Sequence, residues 1–92
     1  MLFMVIERFK DRDAPAAYRR FHRDGRLLPE GIEYVDSWVE ANLDRCFQLM
    51  RCDDAALLQA WALRWRDLIE FEFIPVVASR DTAEIMKPHL EA

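Results

Sequence analysis

Residues 32–52, IEYVDSWVEANLDRCFQLMRC, read as two β-strands folded back on one another, and the fold follows from how they pair. Folding Ala41 onto Arg45 leaves Asn42, Leu43 and Asp44 as a three-residue hairpin loop, a common connection with turn-forming residues at both ends. That register sets Val39 opposite Phe47 and Ser37 opposite Leu49 on one face. On the other it sets Trp38 opposite Gln48 and Asp36 opposite Met50, because side chains alternate along a strand. One face is aliphatic and aromatic, and the other mixes aromatic, polar and acidic groups. A sheet with such a mixed second face lines a cavity or an interface. The residues alone name no reaction.

The 92 residues, taken as one domain over 1–92, are 52% hydrophobic and 33% charged with only two glycines, a compact globular composition. At this length only about 60 to 65% of the unfolded surface can be buried, so association with a second copy would add stability. A formal net charge of -4 argues against a nucleic-acid partner, which calls for a basic surface. The opening MLFMVIERFK lacks the basic start and cleavage site of a secretory signal, and no run approaches the roughly 20 apolar residues that span a bilayer. The expectation is a cytoplasmic protein with no membrane contact. Cys46 and Cys52 fall six residues apart on one strand, about 20 Å at ~3.3 Å per residue, which is beyond bridging distance. Both read as buried thiols, and no Cys or His spacing suggests a metal.

Residues 2–9, LFMVIERF, form a short apolar run rich in β-formers and read as a central strand. Asp13 stands as an N-cap ahead of Pro15, and Ala14, Ala17, Tyr18 and Phe21 recur as a helical stripe that should end near Gly25. Arg19, Arg20, Arg23 and Arg26 are assigned to the other side of that helix. They could bind an anion, but the plainer reading is a solvated face balanced by nearby acids. After the LLPEG connector and the hairpin, Asp53 is the expected cap of a second helix whose Leu57, Leu58, Trp61, Trp65 and Leu68 return every three or four positions. Two tryptophans at that spacing are more often core than part of a cofactor box. Residues 69–78, IEFEFIPVVA, alternate as a strand, and Pro75 confines it to an edge. Residues 80–92 make a short C-terminal helix and tail, capped by Ser79 or Asp81 and interrupted by Pro88.

Strand, helix, strand, strand, helix, strand and a short helix is the split βαβ order, an α+β ferredoxin-like arrangement with the first and third strands central. The helices are expected to cover Met4, Ile6, Val35, Val39, Phe47, Leu49, Phe71 and Phe73. The open face would then carry Phe3, Val5, Glu7, Tyr34, Asp36, Trp38, Cys46, Gln48, Met50, Glu70, Glu72 and Ile74, which is too apolar to leave wet. Pairing with the same face of a second copy would cover it.

MLFMVIERFK, GRLLPEGIEYVDSWVEANLDRCFQLM and FEFIPVV together resemble a family of short bacterial proteins of unknown function. The similarity runs over nearly the whole chain, and LLPEG through DRCFQLM is its most specific part. The resemblance implies a dimeric α/β barrel, in the superfamily that also holds antibiotic-biosynthesis-type monooxygenases, muconolactone isomerases and amino-acid-sensing effector domains. It implies no activity and transfers no catalytic residue.

Glu7, Gln48 and Glu72 come from three adjacent strands and are expected to face one cavity inside the barrel. Two carboxylates at cross-strand distance repel, and burial disfavours their charged forms, so one would hold its proton more tightly and suit a general base. Pairing with an arginine would make them structural. Tyr34, Asp36, Trp38 and Gln48 are the candidate ligand contacts, with Tyr34 and Trp38 flanking Asp36 for a flat apolar molecule; aromatic contact between subunits is the alternative. His22 on a helix and His89 in the tail are surface residues. A glycine-flanked RNA-binding motif, a glycine-rich anion loop and a placed serine nucleophile are all missing, and no cofactor is implied. The expectation is a homodimer binding a small, partly apolar molecule in the barrel. The rivals are a cofactor-free enzyme of monooxygenase or isomerase type, with Glu7 or Glu72 as base, and a purely structural dimer.

Overall fold

The computed structural model describes residues 1–91. Ala92, the end of the expected tail, lies outside the described residues. Four strands, β1 (Leu2–Phe9), β2 (Ile32–Val39), β3 (Arg45–Cys52) and β4 (Ile69–Val76), alternate with helices α1 (Ala14–Asp24), α2 (Ala55–Leu63) and α3 (Ser79–Met86). The antiparallel sheet runs β2-β3-β1-β4, so β1 and β3 are central and the strand holding Pro75 is an edge. This is the ferredoxin-like βαββαβ arrangement with an added C-terminal helix.

Local signals account for the element ends. The Asp13 side chain accepts from the Ala16 amide and Pro15 sits in the first turn of α1, while Gly25, at φ 71, closes the helix through its amide to the Phe21 carbonyl. The cap of α2 is Asp54, which accepts from the Ala56 amide; Asp53, the expected cap, instead meets the N-terminal ammonium at 2.8 Å. α3 begins after Ala78 with no side-chain cap, in place of Ser79 or Asp81, and gives way at Met86 to a 3-10 turn containing Pro88. Cys46 and Cys52 are both buried and unlinked.

The hairpin departs from the expected register by one residue. The Glu40 amide bonds the Arg45 carbonyl and the Leu43 amide bonds the Glu40 carbonyl, so the loop is the four residues Ala41, Asn42, Leu43 and Asp44. Leu43 takes the left-handed conformation at φ 67, the usual way to close a loop built on a turn. Trp38 therefore lies opposite Phe47, and Ser37 opposite Gln48. A bulge between Tyr34 and Asp36 then makes Val35 the extra residue and turns Tyr34 to the side of Met50.

A one-residue slip exchanges faces, and β1 and β3 are inverted relative to expectation. Phe3, Val5, Phe9, Cys46, Met50 and Cys52 form the core under the helices, together with Glu7 and Gln48. Met4, Ile6, Phe47 and Leu49, expected there, are half-buried on the open side, and Val35 is an exposed bulge residue. β4 follows expectation: Phe71 and Phe73 stack at 5.5 Å and both pack on Trp61. Phe3, Val5 and Phe9 sit beside Pro75, Phe73 and Ile69, which continues one apolar layer across the strands.

The α2 stripe buries as expected, with Trp61 1% exposed, and Trp65 reaches the core from the turn after the helix. Replacing Trp61 with Ala should lower stability by about 3 to 5 kcal/mol, since a large cavity opens at the centre of the core. Gly31 sits at φ +103, and an added Cβ would stand 2.7 Å from Leu57 Cδ1. Gly31→Ala should cost about 1 to 3 kcal/mol through backbone strain. Urea denaturation of both variants checks these values, and equal losses would contradict the assigned depth of Trp61.

Candidate functional site

Beneath α1, between that helix, the sheet and the segment after Gly25, lies a cavity of about 100 Å3. Glu7, Gln48, Cys46 and Ser37 reach it from the sheet, Tyr18 and Phe21 from α1, and the indoles of Trp61 and Trp65 from the opposite wall. Its floor is a chain of three polar side chains. The Arg26 Nε–H donates to Gln48 Oε1 at 3.1 Å, which orients the amide so that Nε2 donates to Glu7 Oε2 at 2.5 Å. Glu7 and Gln48 are 4% and 6% exposed, so this carboxyl is held by an amide in the protein interior.

Burial is the main influence on Glu7 and raises its affinity for a proton; the Gln48 bond, the neighbouring Cys46 and the Arg26 charge favour the ionised form and offset only part of this. Cys46 lies opposite Glu7 on β3, and burial with the adjacent carboxylate pushes its thiol up to about 12. A thiol so placed is a poor nucleophile at neutral pH. The Tyr18 phenol is likewise raised, by burial first and then by Cys46 and Glu7. The site thus supplies one carboxyl able to take or give a proton, one amide and one phenol in an apolar setting.

The segment 25–31 delivers Arg26. Trp61 Nε1 and Trp65 Nε1 both donate to the Arg26 carbonyl at 2.9 Å, and an Arg64 η-nitrogen donates to the Leu27 carbonyl at 2.6 Å. Leu27 is held at φ 57, a conformation a branched side chain rarely adopts, and the three donors keep it there. The Arg26 guanidinium lies 3.7 Å from the centre of the Tyr34 ring and 5.1 Å from that of Phe21. Both tryptophans are therefore core residues that also position the arginine.

Of the residues marked from sequence, Glu7 and Gln48 come together, in the space under the helices and not on an open barrel face. Glu72 points from the opposite side of the sheet and is exposed. Tyr34 joins the Glu7 side through its stacking on Arg26, and its hydroxyl is 2.7 Å from Ser37 Oγ. Asp36 and Trp38 remain on the open side, with Trp38 52% exposed beside Phe47 and away from Gln48. His22 and His89 are exposed. The arginines assigned from sequence to one face of α1 separate: Arg20 grips Asp67 with bonds of 2.8 and 2.6 Å, Arg23 pairs with Asp24, and Arg26, beyond the end of the helix, belongs to the cavity. Arg26 was missed as a site residue, yet Gly25 ends α1 and so removes the next residue from its solvated face. Among the described residues no group of three His, Cys, Asp or Glu is placed to hold a metal ion. Nor is any described helix long and apolar enough to cross a membrane.

Residues 1–90 match the family described as Domain of unknown function (DUF3303). The chain belongs to that family. No curated protein and no solved structure is significantly similar to it.

The position of Glu7 has a pH signature. Its proton affinity is raised in the folded state, so the native protein binds the proton more tightly than the unfolded chain does. Its contribution to stability is then full below the ordinary value of 4.5 and is lost as pH rises through the folded value. Glu7→Gln keeps an acceptor for Gln48 and removes the proton, so it should flatten the stability profile over that window and equal or exceed wild type above it. Denaturation midpoints measured from pH 4 upward check this, and an unchanged profile would show that Glu7 is not the group responsible.

Proposed function

We propose that the protein is a homodimer in which each subunit binds a small, partly apolar molecule in the cavity beneath α1. The observation that carries the reading is the Glu7–Gln48–Arg26 chain at the floor of an otherwise aromatic and aliphatic space, because a few convergent polar groups in an apolar pocket mark a ligand site. A volume of about 100 Å3 suits a molecule of roughly one small ring. This puts the proposed site under the helices of each subunit in place of the expected barrel cavity, and the support for it is that Glu7 and Gln48 face the helices.

Dimerisation rests on two uncovered surfaces. The open side of the sheet presents Met4, Ile6, Phe47 and Leu49 with the more exposed Trp38 and Ile74, an apolar area that a second copy would cover. α3 carries Ile85 and Met86, at 65% and 49% exposure, on a helix too short to be stable alone in water. The radius of gyration of 15.8 Å exceeds the roughly 12 Å of a compact chain of this length, as expected for an arm that reaches toward a partner.

A cofactor-free isomerase or monooxygenase type of enzyme is the second reading, favoured by the raised proton affinity of Glu7 beside the cavity. Glu7 would be its base; Glu72, on the far side of the sheet, has no part in it.

Native mass spectrometry of freshly purified protein tests the main reading. The expected result is a mass of two chains carrying a small molecule lost on denaturation, and a bare monomer at micromolar concentration would overturn it. Recovery of that molecule chemically changed by wild type but not by Glu7→Gln would select the enzyme. Replacing Trp38 with Ala should weaken the dimer ~30-fold, the effect of losing an interface aromatic worth about 2 kcal/mol. Sedimentation over a concentration series reads this, and an unaltered dimer would exclude the open face as the contact.

A further inference from the structure

Three arginines of this chain are half-buried: Arg20, Arg26 and Arg45. Two of them have a carboxylate. Arg20 holds Asp67 with two bonds of 2.8 and 2.6 Å, and Arg45 holds Glu40 with two of 2.8 and 2.9 Å. Arg26 makes no ion pair among the described residues, and its one hydrogen-bond acceptor is the neutral oxygen of Gln48. The Tyr34 and Phe21 rings stabilise the cation in part, but the Nε–H alone is used and the two η-amino groups have no acceptor among the described residues. No buried side-chain nitrogen among the described residues lacks a partner, so the η-amino groups reach solvent and stand open to an arriving acceptor.

We propose that the cavity takes a small planar acid whose carboxylate is received by the η-amino groups of Arg26, with its apolar body against Trp61, Trp65 and Phe9. The proposal rests on the reading of this cavity as a ligand site and adds the charge class of the ligand. The guanidinium fork matches a carboxylate in two parallel hydrogen bonds, the arrangement this chain already uses at Asp67 and Glu40. Its position is set independently of the ligand. The two indole donors fix the Arg26 backbone, the Gln48 oxygen fixes Nε, and Tyr34 lies against the guanidinium, so the side chain is placed before anything binds. Glu7 does not supply the missing charge, because Gln48 stands between it and Arg26 and burial favours its neutral form. With Arg26 carrying the acid, Glu7 is left facing the body of the ligand.

Benzoate and its neutral isostere benzamide are the probes, titrated against the whole protein and followed by the fluorescence of the tryptophans that line the cavity. Benzoate should bind at least about tenfold more tightly than benzamide, the effect of a charge-assisted pair. Arg26→Met, which keeps the stem and the backbone carbonyl, should remove that preference by weakening benzoate at least about tenfold more than benzamide. In unaltered protein, benzoate should also shift the side-chain nitrogen signals of Arg26 Nε and Gln48 Nε2, a readout that does not depend on the variant folding. Equal binding of the two probes, a preference that survives Arg26→Met, or nitrogen signals that stay in place would overturn the acid and leave the cavity reading standing. Failure of both probes to bind, with no molecule retained in native mass spectrometry, would overturn the cavity reading and the acid with it.

Discussion

The bond from the Glu40 amide to the Arg45 carbonyl sets the length of the hairpin loop, and through that length it sets which side chains of β3 lie under the helices. Strand side chains alternate with a period of two, so a loop of four residues and a loop of three give opposite cavities. With four, Gln48 stands on the helix side, one strand from Glu7, and Ser37 and Val39 complete the wall. With three, Gln48 would face outward and a buried Glu7 would lack its amide. Every polar contact of the site descends from that parity.

A second constraint is carried by the two indoles. Trp61 and Trp65 are four positions apart, so their rings reach the same carbonyl from one side of the α2 region. They satisfy their own N–H groups in the interior while holding segment 25–31 in a conformation that Leu27 would not choose alone. Packing and positioning are therefore performed by the same side chains. The core reading of these tryptophans was correct and incomplete, since the indole nitrogen adds a directional bond that apolar periodicity does not reveal.

The two sides of the sheet divide the candidate roles. The buried polar groups gather under the helices around Glu7, whereas Trp38, Phe47 and Leu49 leave the other side apolar. Glu70 and Glu72 on β4 and Arg45 and Arg51 on β3 share that side of the sheet. Both arginines are already met within the chain, Arg45 by Glu40 and Arg51 by Glu33.

Element order, strand centrality, the Asp13 cap, the Gly25 stop, the edge position of the Pro75 strand and the buried stripe of α2 were all legible in the sequence, because each follows from a local rule of periodicity, capping or backbone restriction. Glu7 and Gln48 were legible as two members of a trio with Glu72, since polar residues inside apolar strands stand out wherever they point. Which face they occupy was not, because both parities of β1 and β3 are apolar enough to be core: Leu2, Met4 and Ile6 compete with Phe3, Val5 and Phe9. Only tertiary structure resolved that competition, through a left-handed Leu43 that lengthens the loop and a bulge at Val35 that turns Tyr34 inward. Arg26 was decided in the same way. Its nearest acid in sequence, Asp24, pairs with Arg23, and its place in the site comes from contacts with residues 34, 48, 61 and 65, brought to it by the closing of the sheet against the helices.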